Sequence, residues 1–208
     1  MKKRKPIFWE KAKKELSRKD PILKKIFSNY KKGTLYPSND SFRTLCKSIV
    51  GQQISVKAAD SIWKRLIKTT GKISAKKIAF IDQRKLKKIG LSRQKIKYLK
   101  NLSKKILSQE IVLAKFKKMP DEKIKEELTK LNGIGNWTAE MFLIFNLGRP
   151  NVMPVNDIGL IKAICLHYKK KFPLQEKEIL KISNKWKPWQ TVAVWYLWRS
   201  LDPQPVSY

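Results

Sequence analysis

The stretch Leu131-Asn132-Gly133-Ile134-Gly135-Asn136-Trp137-Thr138-Ala139 joins two helical patterns and decides the fold. Gly133 and Gly135 allow backbone angles that other residues resist, and their missing side chains let another molecule approach the turn closely. Amide groups in such a turn, at the start of the next helix, point outward with partial positive charge and favour a phosphate. A Gly-x-Gly sequence is also typical of a plain helical hairpin, so the two glycines alone leave both interpretations open.

Helical spacing of apolar residues extends over most of the chain on both sides of this turn. Starts of helices are predicted at the capping residues Asp20, Ser55, Ser92 and Asp121, and another at Asp40 or Ser41. The best candidate for a strand, the short run VLAKF at 112–116, is weak. The sequence therefore predicts an all-α fold of about ten helices.

The predicted helices can be divided into two lobes around a cleft. One lobe is expected near residues 40–130, and the other is expected to combine residues 1–39 with residues 131–208. The chain contains no internal repeat and no Gly/Ser-rich linker, so we expect one functional unit.

The net charge of +32, from 48 Lys and Arg against 16 Asp and Glu, indicates a polyanionic partner. Nucleic acid is favoured over an anionic membrane surface, and no apolar run is long enough to span a bilayer. Of the basic residues 40 are Lys and 8 are Arg, so a compositional lysine bias is an alternative source of much of the charge. The apolar share of 42%, with seven Trp, predicts a folded core.

Three segments, followed by two tryptophan-containing ones, occur in an order that resembles a known family. They are Ser48–Ala59, Leu131–Ala139 and Met153–Leu160, then Trp186–Trp189 and Trp195–Ser200. In these segments the chain resembles the helix-hairpin-helix DNA glycosylase superfamily, and within it the AlkA-like branch of 3-methyladenine DNA glycosylase II. The resemblance implies the helix-hairpin-helix glycosylase fold around a DNA-binding cleft. Few residues precede the first matching helix, so the N-terminal β-rich domain of AlkA is not expected.

Asp157 lies 24 residues beyond Gly133, where the family places its catalytic aspartate. It directly precedes the apolar-periodic run Ile158–Ile164, so it is also a natural N-cap, and the local sequence alone favours that simpler role. A helix N-terminus stabilises an ionised carboxylate. Such a carboxylate can stabilise the positive charge that develops on deoxyribose and can activate a water molecule. With the hairpin upstream, we expect Asp157 to be catalytic.

A pocket for the flipped base is expected from aromatic side chains, because alkylated purines such as 3-methyladenine are cationic. By family position the candidates are Trp137 and Trp198, with Trp195 and Tyr196 as lesser ones. Core packing is the alternative for each of them. Met141 stands where AlkA carries a Tyr, so the pocket is expected to differ from that of AlkA.

Residues near the hairpin and at a helix break are expected to contact DNA. The resemblance implies that the backbone is bound through the hairpin residues Gly133, Ile134, Gly135 and Thr138. Gln53 is the candidate wedge that fills the space left by the flipped base, although a solvated turn glutamine is an alternative. Gln52 lies in the same break, and Ser55 can cap the next helix or contact phosphate.

The residues that bifunctional relatives need are missing from the sequence. Their Schiff-base lysine follows the second hairpin glycine by two residues, and that position is Trp137 here. Cys46 and Cys165 cannot supply a four-cysteine iron–sulfur cluster, and His167 is the only histidine. No cofactor is therefore expected to be required. The resemblance suggests a structural Na⁺ or K⁺ at the carbonyls of Thr129, Leu131 and Ile134.

The function predicted from the sequence is hydrolytic excision of alkylated purines, of the 3-methyladenine and 7-methylguanine type, from double-stranded DNA during base-excision repair. A β-lyase step is not expected. The protein is expected to be a monomer in the cytoplasm, associated with the nucleoid and not with a membrane. The alternatives are a glycosylase for another lesion, such as a deaminated purine, and a non-catalytic helix-hairpin-helix DNA-binding module.

Overall fold

The computed structural model describes residues 4–31 and 33–202. Within these ranges the chain forms twelve α-helices and two 3₁₀ helices, and no strand occurs there. The predicted all-α class is confirmed. No helix in these ranges is both long and apolar enough to cross a membrane.

The helices follow one another along the chain, and the longest irregular connections are residues 30–40 and 146–157. Their bounds are α1 Trp9–Lys19, α2 Pro21–Asn29, α3 Ser41–Gly51, α4 Val56–Thr70, α5 Ala75–Phe80, α6 Gln83–Lys88, α7 Arg93–Leu107, α8 Asp121–Thr129, α9 Asn136–Phe145, α10 Ile158–His167, α11 Glu176–Ser183 and α12 Gln190–Leu201. The 3₁₀ helices are Leu113–Lys118 and Asn184–Trp186.

The chain divides into two compact units, the first built from the described residues of 1–37 and 143–207 and the second from 38–142. The boundary expected near residue 131 lies instead after residue 142. The hairpin and most of α9 belong to the second unit, because Phe142 packs edge-on against Phe116, with ring centroids 5.9 Å apart.

The second unit is held together by apolar side chains that its helices bury between them. Leu45 and Ile49 of α3, Leu66 of α4 and Leu99 of α7 have no exposed surface. Spacings of three and four residues place such side chains on one face of each helix, as the sequence pattern predicts.

The core of the first unit is built around α12. Residues 192–197 of this helix are buried, and Trp195 packs edge-on against Trp9 with centroids 5.5 Å apart. Tyr196 packs against Phe27 at 4.6 Å. Trp195 and Tyr196, the lesser pocket candidates, are thus core residues of this unit.

Most of the predicted caps are confirmed. Ser55 accepts a hydrogen bond from the Ala58 amide, and Ser92 accepts one from the Lys95 amide. At the start of α3 the cap is Asp40, which accepts from the Arg43 amide at 2.9 Å.

One local prediction, the cap of α8, was wrong. Asp121 is the first residue of α8, and the N-cap is Pro120, whose extended backbone leads into the helix. Asp121 still stabilises that helix, since an acidic side chain in the first turn offsets the helix dipole. The run 112–116 is not a strand, because Phe116 alone is buried in the 3₁₀ helix Leu113–Lys118 and no described strand is available to pair with it.

Asp20 is a fully buried carboxylate that connects several elements of the first unit. Its Oδ1 accepts from the amides of Ile22 and Leu23 and so caps α2. Its Oδ2 accepts from the Tyr168 hydroxyl and from Trp186 Nε1 at 2.9 Å, and Lys185 Nζ lies 3.1 Å away. Burial alone would raise the pKa of Asp20, but these donors outweigh it and hold the pKa below its ordinary value near 3.8.

Asp20→Asn should destabilise the protein by about 2–4 kcal/mol at pH 7, because the new amide presents a donor to the Trp186 and Lys185 donors. The folded-state pKa of Asp20 is lowered, so its contribution is present above the unfolded pKa and is lost as the pH falls through the folded value. The stability difference between wild type and variant should therefore shrink below about pH 4. Urea unfolding at several pH values measures it.

Asp40→Asn is the matched control, because Asp40 caps α3 at an exposed position and Asn is an equally good cap. It should change stability by no more than a few tenths of a kcal/mol. Equal losses in the two variants would contradict a special role for the buried Asp20 carboxylate.

Candidate functional site

The hairpin of the second unit follows α8 and leads into α9. The Ile134 amide donates to the Leu131 carbonyl at 3.0 Å and closes the turn. Leu131 and Ile134 are buried, whereas Asn132 and Gly135 are exposed. The buried apolar side chains therefore anchor the turn in the second unit, and the exposed residues present its backbone to solvent.

The two glycines of the hairpin meet different requirements. Gly133 has a φ of +84°, in the left-handed region, and a Cβ there would lie 2.1 Å from the Tyr98 ring. A Cβ on Gly135 would meet nothing within 4 Å. Gly133 is thus required by its backbone angle and by Tyr98, while Gly135 leaves open space through which a ligand can approach.

Gln52, at the end of α3, bonds to both sides of the hairpin. Its Nε2 donates to the Gly133 carbonyl at 2.8 Å and to Thr138 Oγ1 at 3.1 Å. Thr138 is buried and lies in the first turn of α9. The Thr138 side chain therefore binds Gln52 in this structure, and the contact positions the α3–α4 turn against the hairpin.

Lys95 stabilises the same junction from α7. Its Nζ donates to the carbonyls of Val50 and Gln52, at 2.9 and 2.7 Å. Burial lowers the pKa of Lys95 from its ordinary value. Sequence reasoning did not single out Lys95, because nothing in its local pattern distinguishes it from the other lysines. Gln52 was noted only as part of a helix break.

A cavity of about 440 Å³ lies against the hairpin within the second unit. Its lining includes Thr129, Leu131 and Ile134, the three residues whose carbonyls are predicted to hold a cation. Gln53 also lines it, is exposed, and has a left-handed φ of +56°. The structure thus brings the wedge candidate and the hairpin to one cavity.

Asp157 begins α10 in the first unit, as predicted. Its Oδ1 accepts from the Leu160 amide at 2.6 Å and from Trp198 Nε1 at 2.8 Å. The Leu160 bond is the expected N-cap, whereas the Trp198 bond joins residues 41 positions apart. Asp157 is partly buried, so its carboxyl is held in place without being sealed from solvent.

Trp198 is held from two sides. Its ring stacks on Phe145, with centroids 5.8 Å apart and planes inclined by 14°. On the other side it passes close to Gly159, where a Cβ would lie 3.7 Å from Trp198 Cδ1 and 3.2 Å from Asp157 Oδ1. Gly159 therefore leaves room for the bond between the indole and the carboxylate. Trp198 remains partly exposed.

The other two pocket candidates lie on α9, in the part that belongs to the second unit. Trp137 is half-buried, and Met141, one helical turn later, is only 2% exposed. Their spacing places both on one face of α9. Their role in a base pocket stays a prediction.

Cys46 and Cys165 are both buried free thiols, and burial raises the pKa of each. His167 Nε2 lies 2.7 Å from Ser200 Oγ, and burial lowers the pKa of this imidazole. In the described part of the chain, no three or more His, Cys, Asp or Glu side chains are placed to hold a metal ion. The two cysteines and His167 therefore give no indication of a catalytic role.

Comparison with known proteins identifies the family of this chain. Residues 46–188 match the family model of the HhH-GPD superfamily base excision DNA repair protein. DNA-3-methyladenine glycosylase 1 of Schizosaccharomyces pombe is 32% identical over 86% of this chain and 80% of its own length. DNA-3-methyladenine glycosylase of Bacillus subtilis is 31% identical over 90% of this chain, which spans 66% of that relative.

Among solved structures, the Schizosaccharomyces pombe 3-methyladenine DNA glycosylase in complex with abasic DNA superposes with a TM-score of 0.84. It is 29% identical in sequence, and the match covers 91% of this chain and 96% of that one. The family model matches well over half of the residues, and the solved fold superposes over 91% of the chain. This chain therefore belongs to the HhH-GPD superfamily of base excision DNA repair proteins.

Proposed function

We propose that the protein is a DNA glycosylase that removes alkylated purines from double-stranded DNA in base-excision repair. The observation that carries the proposal is the Asp157 carboxylate, fixed at a helix N-terminus by the Leu160 amide and Trp198 Nε1. The names of the 3-methyladenine glycosylase relatives support the substrate class. A base-release assay with 3-methyladenine, 7-methylguanine, hypoxanthine and ethenoadenine tests it and ranks the lesions.

The reaction follows from what a fixed carboxylate can stabilise. The bond between deoxyribose C1′ and the base nitrogen breaks, and its electron pair leaves with the base. Positive charge develops on the sugar, and the ionised Asp157 stabilises it electrostatically. A water oxygen then bonds to C1′ and passes a proton to the carboxylate. Because Oδ1 is already held by two donors, the group needs little reorganisation as the charge appears.

Alkylated purines suit this chemistry because the leaving base is already cationic. It needs less protonation by a general acid than a normal purine does. Aromatic faces attract such a base through stacking and cation–π interactions. Trp198, partly exposed and stacked on Phe145, is the best-placed candidate for this contact in the first unit. Trp137 and Met141 are the candidates on α9.

We further propose that the enzyme is monofunctional. Trp137 occupies the position at which bifunctional relatives carry the lysine that attacks the sugar, and no lysine occurs between Leu131 and Ile161. Without an amine at that position, water is the nucleophile and the product is an intact abasic site.

The hairpin is proposed to bind the DNA backbone through Gly133, Ile134, Gly135 and Thr138. The support is the open space at Gly135 together with the exposed backbone of the turn. The carbonyls of Thr129, Leu131 and Ile134 would hold a Na⁺ or K⁺ ion, whose charge would attract a phosphate. Gln53 is proposed as the wedge, since it is exposed beside the same cavity. We propose that the protein works as a monomer in the cytoplasm.

Asp157→Asn should reduce release of 3-methyladenine from methylated DNA by at least about 100-fold, because a neutral amide cannot stabilise a cationic sugar. Helix α10 should still form, since Asn is an equally good cap. Binding to abasic DNA should stay close to that of wild type. Single-turnover base release and DNA binding are measured on the same preparations.

Asp82→Asn is the control, because Asp82 caps α6 at an exposed position through the Arg84 amide. It removes the same charge and should leave base release unchanged. Full activity in Asp157→Asn would overturn the assignment of the catalytic carboxylate.

Borohydride added during the reaction should trap no covalent protein–DNA adduct, because no lysine lies at the Schiff-base position. A bifunctional glycosylase run in parallel shows that trapping works. Gel analysis of the DNA should reveal abasic sites that break only after alkali. An adduct that depends on borohydride would refute the monofunctional mechanism.

The two hairpin glycines should respond differently to substitution by Ala. Gly133→Ala should destabilise the protein by at least about 1–3 kcal/mol, because it combines a left-handed φ with a clash against Tyr98. Gly135→Ala should leave stability nearly unchanged but weaken DNA binding, because the added methyl group narrows the approach for a phosphate. Thermal unfolding and DNA titrations separate the two effects. Normal DNA binding by Gly135→Ala would argue against a phosphate contact at Gly135.

A further inference from the structure

A second basic surface of the second unit lies outside the hairpin cavity. Side chains of α6 and α7 line an open cavity of about 620 Å³, whose lining contains no acidic residue. Its cations are Arg84, Lys87, Arg93, Lys97, Lys100 and Lys104. We call these six residues the α6–α7 basic surface.

The cations of α7 form one continuous stripe. Arg93, Lys97, Lys100 and Lys104 follow one another at intervals of four, three and four residues, which places them on one face of the helix. At 1.5 Å per residue the stripe is about 16 Å long. Like charges at this spacing repel and destabilise a helix. An anionic partner that neutralises them would relieve this repulsion.

Protein carboxylates do not neutralise this surface. Five of its cations are exposed, and none of these five forms an ion pair within 4–31 and 33–202. Elsewhere the acidic side chains pair with lysines, as Glu122 does with Lys125 and Glu127 with Lys130 on α8 and its end. The α6–α7 basic surface therefore keeps its charge available for a ligand.

Lys100 has a different role within the surface. Its Nζ donates to the carbonyls of Ala79 and Ile81, at 2.9 and 2.7 Å, where α5 ends. These bonds tie α7 to α5 and fix the helix that carries the stripe. The other cations are thus presented by a rigid element, although their own side chains extend into solvent.

The same helix also borders the hairpin cavity. Gln94, Lys95 and Tyr98 of α7 line that cavity, whereas Arg93 and Lys97 line the basic one. Since successive residues turn by about 100°, the two sets lie on neighbouring faces of α7. A DNA backbone bound at the hairpin can therefore continue along α7 within the second unit.

We propose that the α6–α7 basic surface is a second phosphate-binding surface for double-stranded DNA, separate from the hairpin. The inference rests on the proposed function, because a DNA substrate at the hairpin brings phosphates to α7. Duplex DNA carries one negative charge per about 1.7 Å of its axis, so a stripe of about 16 Å faces several phosphates. Lysine point charges suit this sequence-independent contact, which holds the duplex without reading bases.

Neutralising three of the exposed lysines tests the proposal. The variant Lys87→Gln/Lys97→Gln/Lys104→Gln removes charges from the surface and touches none of the proposed site residues. The control Lys64→Gln/Lys68→Gln/Lys72→Gln removes the same charge from exposed positions on α4 and just after it, outside the basic cavity. Affinity for an undamaged duplex is measured as a function of salt, and base release from a 3-methyladenine duplex is measured under single-turnover conditions at saturating protein.

The surface variant should reduce the magnitude of the slope of log affinity against log salt concentration by about two to three, near one for each lost contact. The control should reduce the magnitude of this slope by less than about one. Base release at saturation should match wild type in both. Removing like charges from one face should leave the melting temperature of the surface variant unchanged or higher, which shows that it folds.

An equal decrease of the salt slope in the two variants, or no decrease in either, would overturn the proposal. The positive charge would then attract DNA without a defined contact at this surface. A surface variant that binds DNA like wild type but loses binding to phosphatidylserine vesicles would overturn it in favour of a membrane contact. If wild type releases no base from any lesion but the salt slopes still differ as expected, the proposed function fails and the second surface stands.

Discussion

The position of the Asp157 carboxylate depends on two donors that reach the same oxygen. The Leu160 amide belongs to the helix that Asp157 caps, and Trp198 Nε1 comes from α12, the central helix of the first unit. The first bond ties the carboxylate to the end of α10, and the second ties it to the partly exposed indole of α12. One oxygen therefore links helix capping, core packing and the proposed chemistry. Gly159 leaves room at this bond, because a Cβ there would lie only 3.2 Å from Asp157 Oδ1.

The hairpin depends on a comparable constraint in the second unit. Gln52 bonds to the Gly133 carbonyl and to Thr138, while Tyr98 packs where a side chain on Gly133 would lie. These contacts come from α3, α7 and α9, so the turn is held by elements far apart in sequence. A loop fixed in this way can present its backbone to a phosphate without first losing conformational freedom. These contacts surround Gly133 and leave the space next to Gly135 open.

The distribution of charge separates retention of DNA from catalysis. Residues 131–160 contain Arg149 and the acids Glu140 and Asp157 but no lysine, although the whole chain carries a net charge of +32. The lysines therefore lie outside the segment of sequence that carries the proposed chemistry. The α6–α7 basic surface gives part of that charge a defined place. Four of its cations share one face of α7, and its lining contains no acidic residue.

The sequence by itself determined the all-α class, most helix starts and the candidate carboxylate, because caps and helical spacing are local properties of the chain. Asp20, Ser55, Ser92 and Asp157 could be identified as caps for this reason. It placed one unit boundary too early, since the packing that divides the chain into units depends on distant neighbours. Only the tertiary structure decided that Trp198 bonds to Asp157, that Tyr98 requires Gly133, and that Lys95 holds Gln52. These contacts join residues many positions apart, and packing alone brings such residues together.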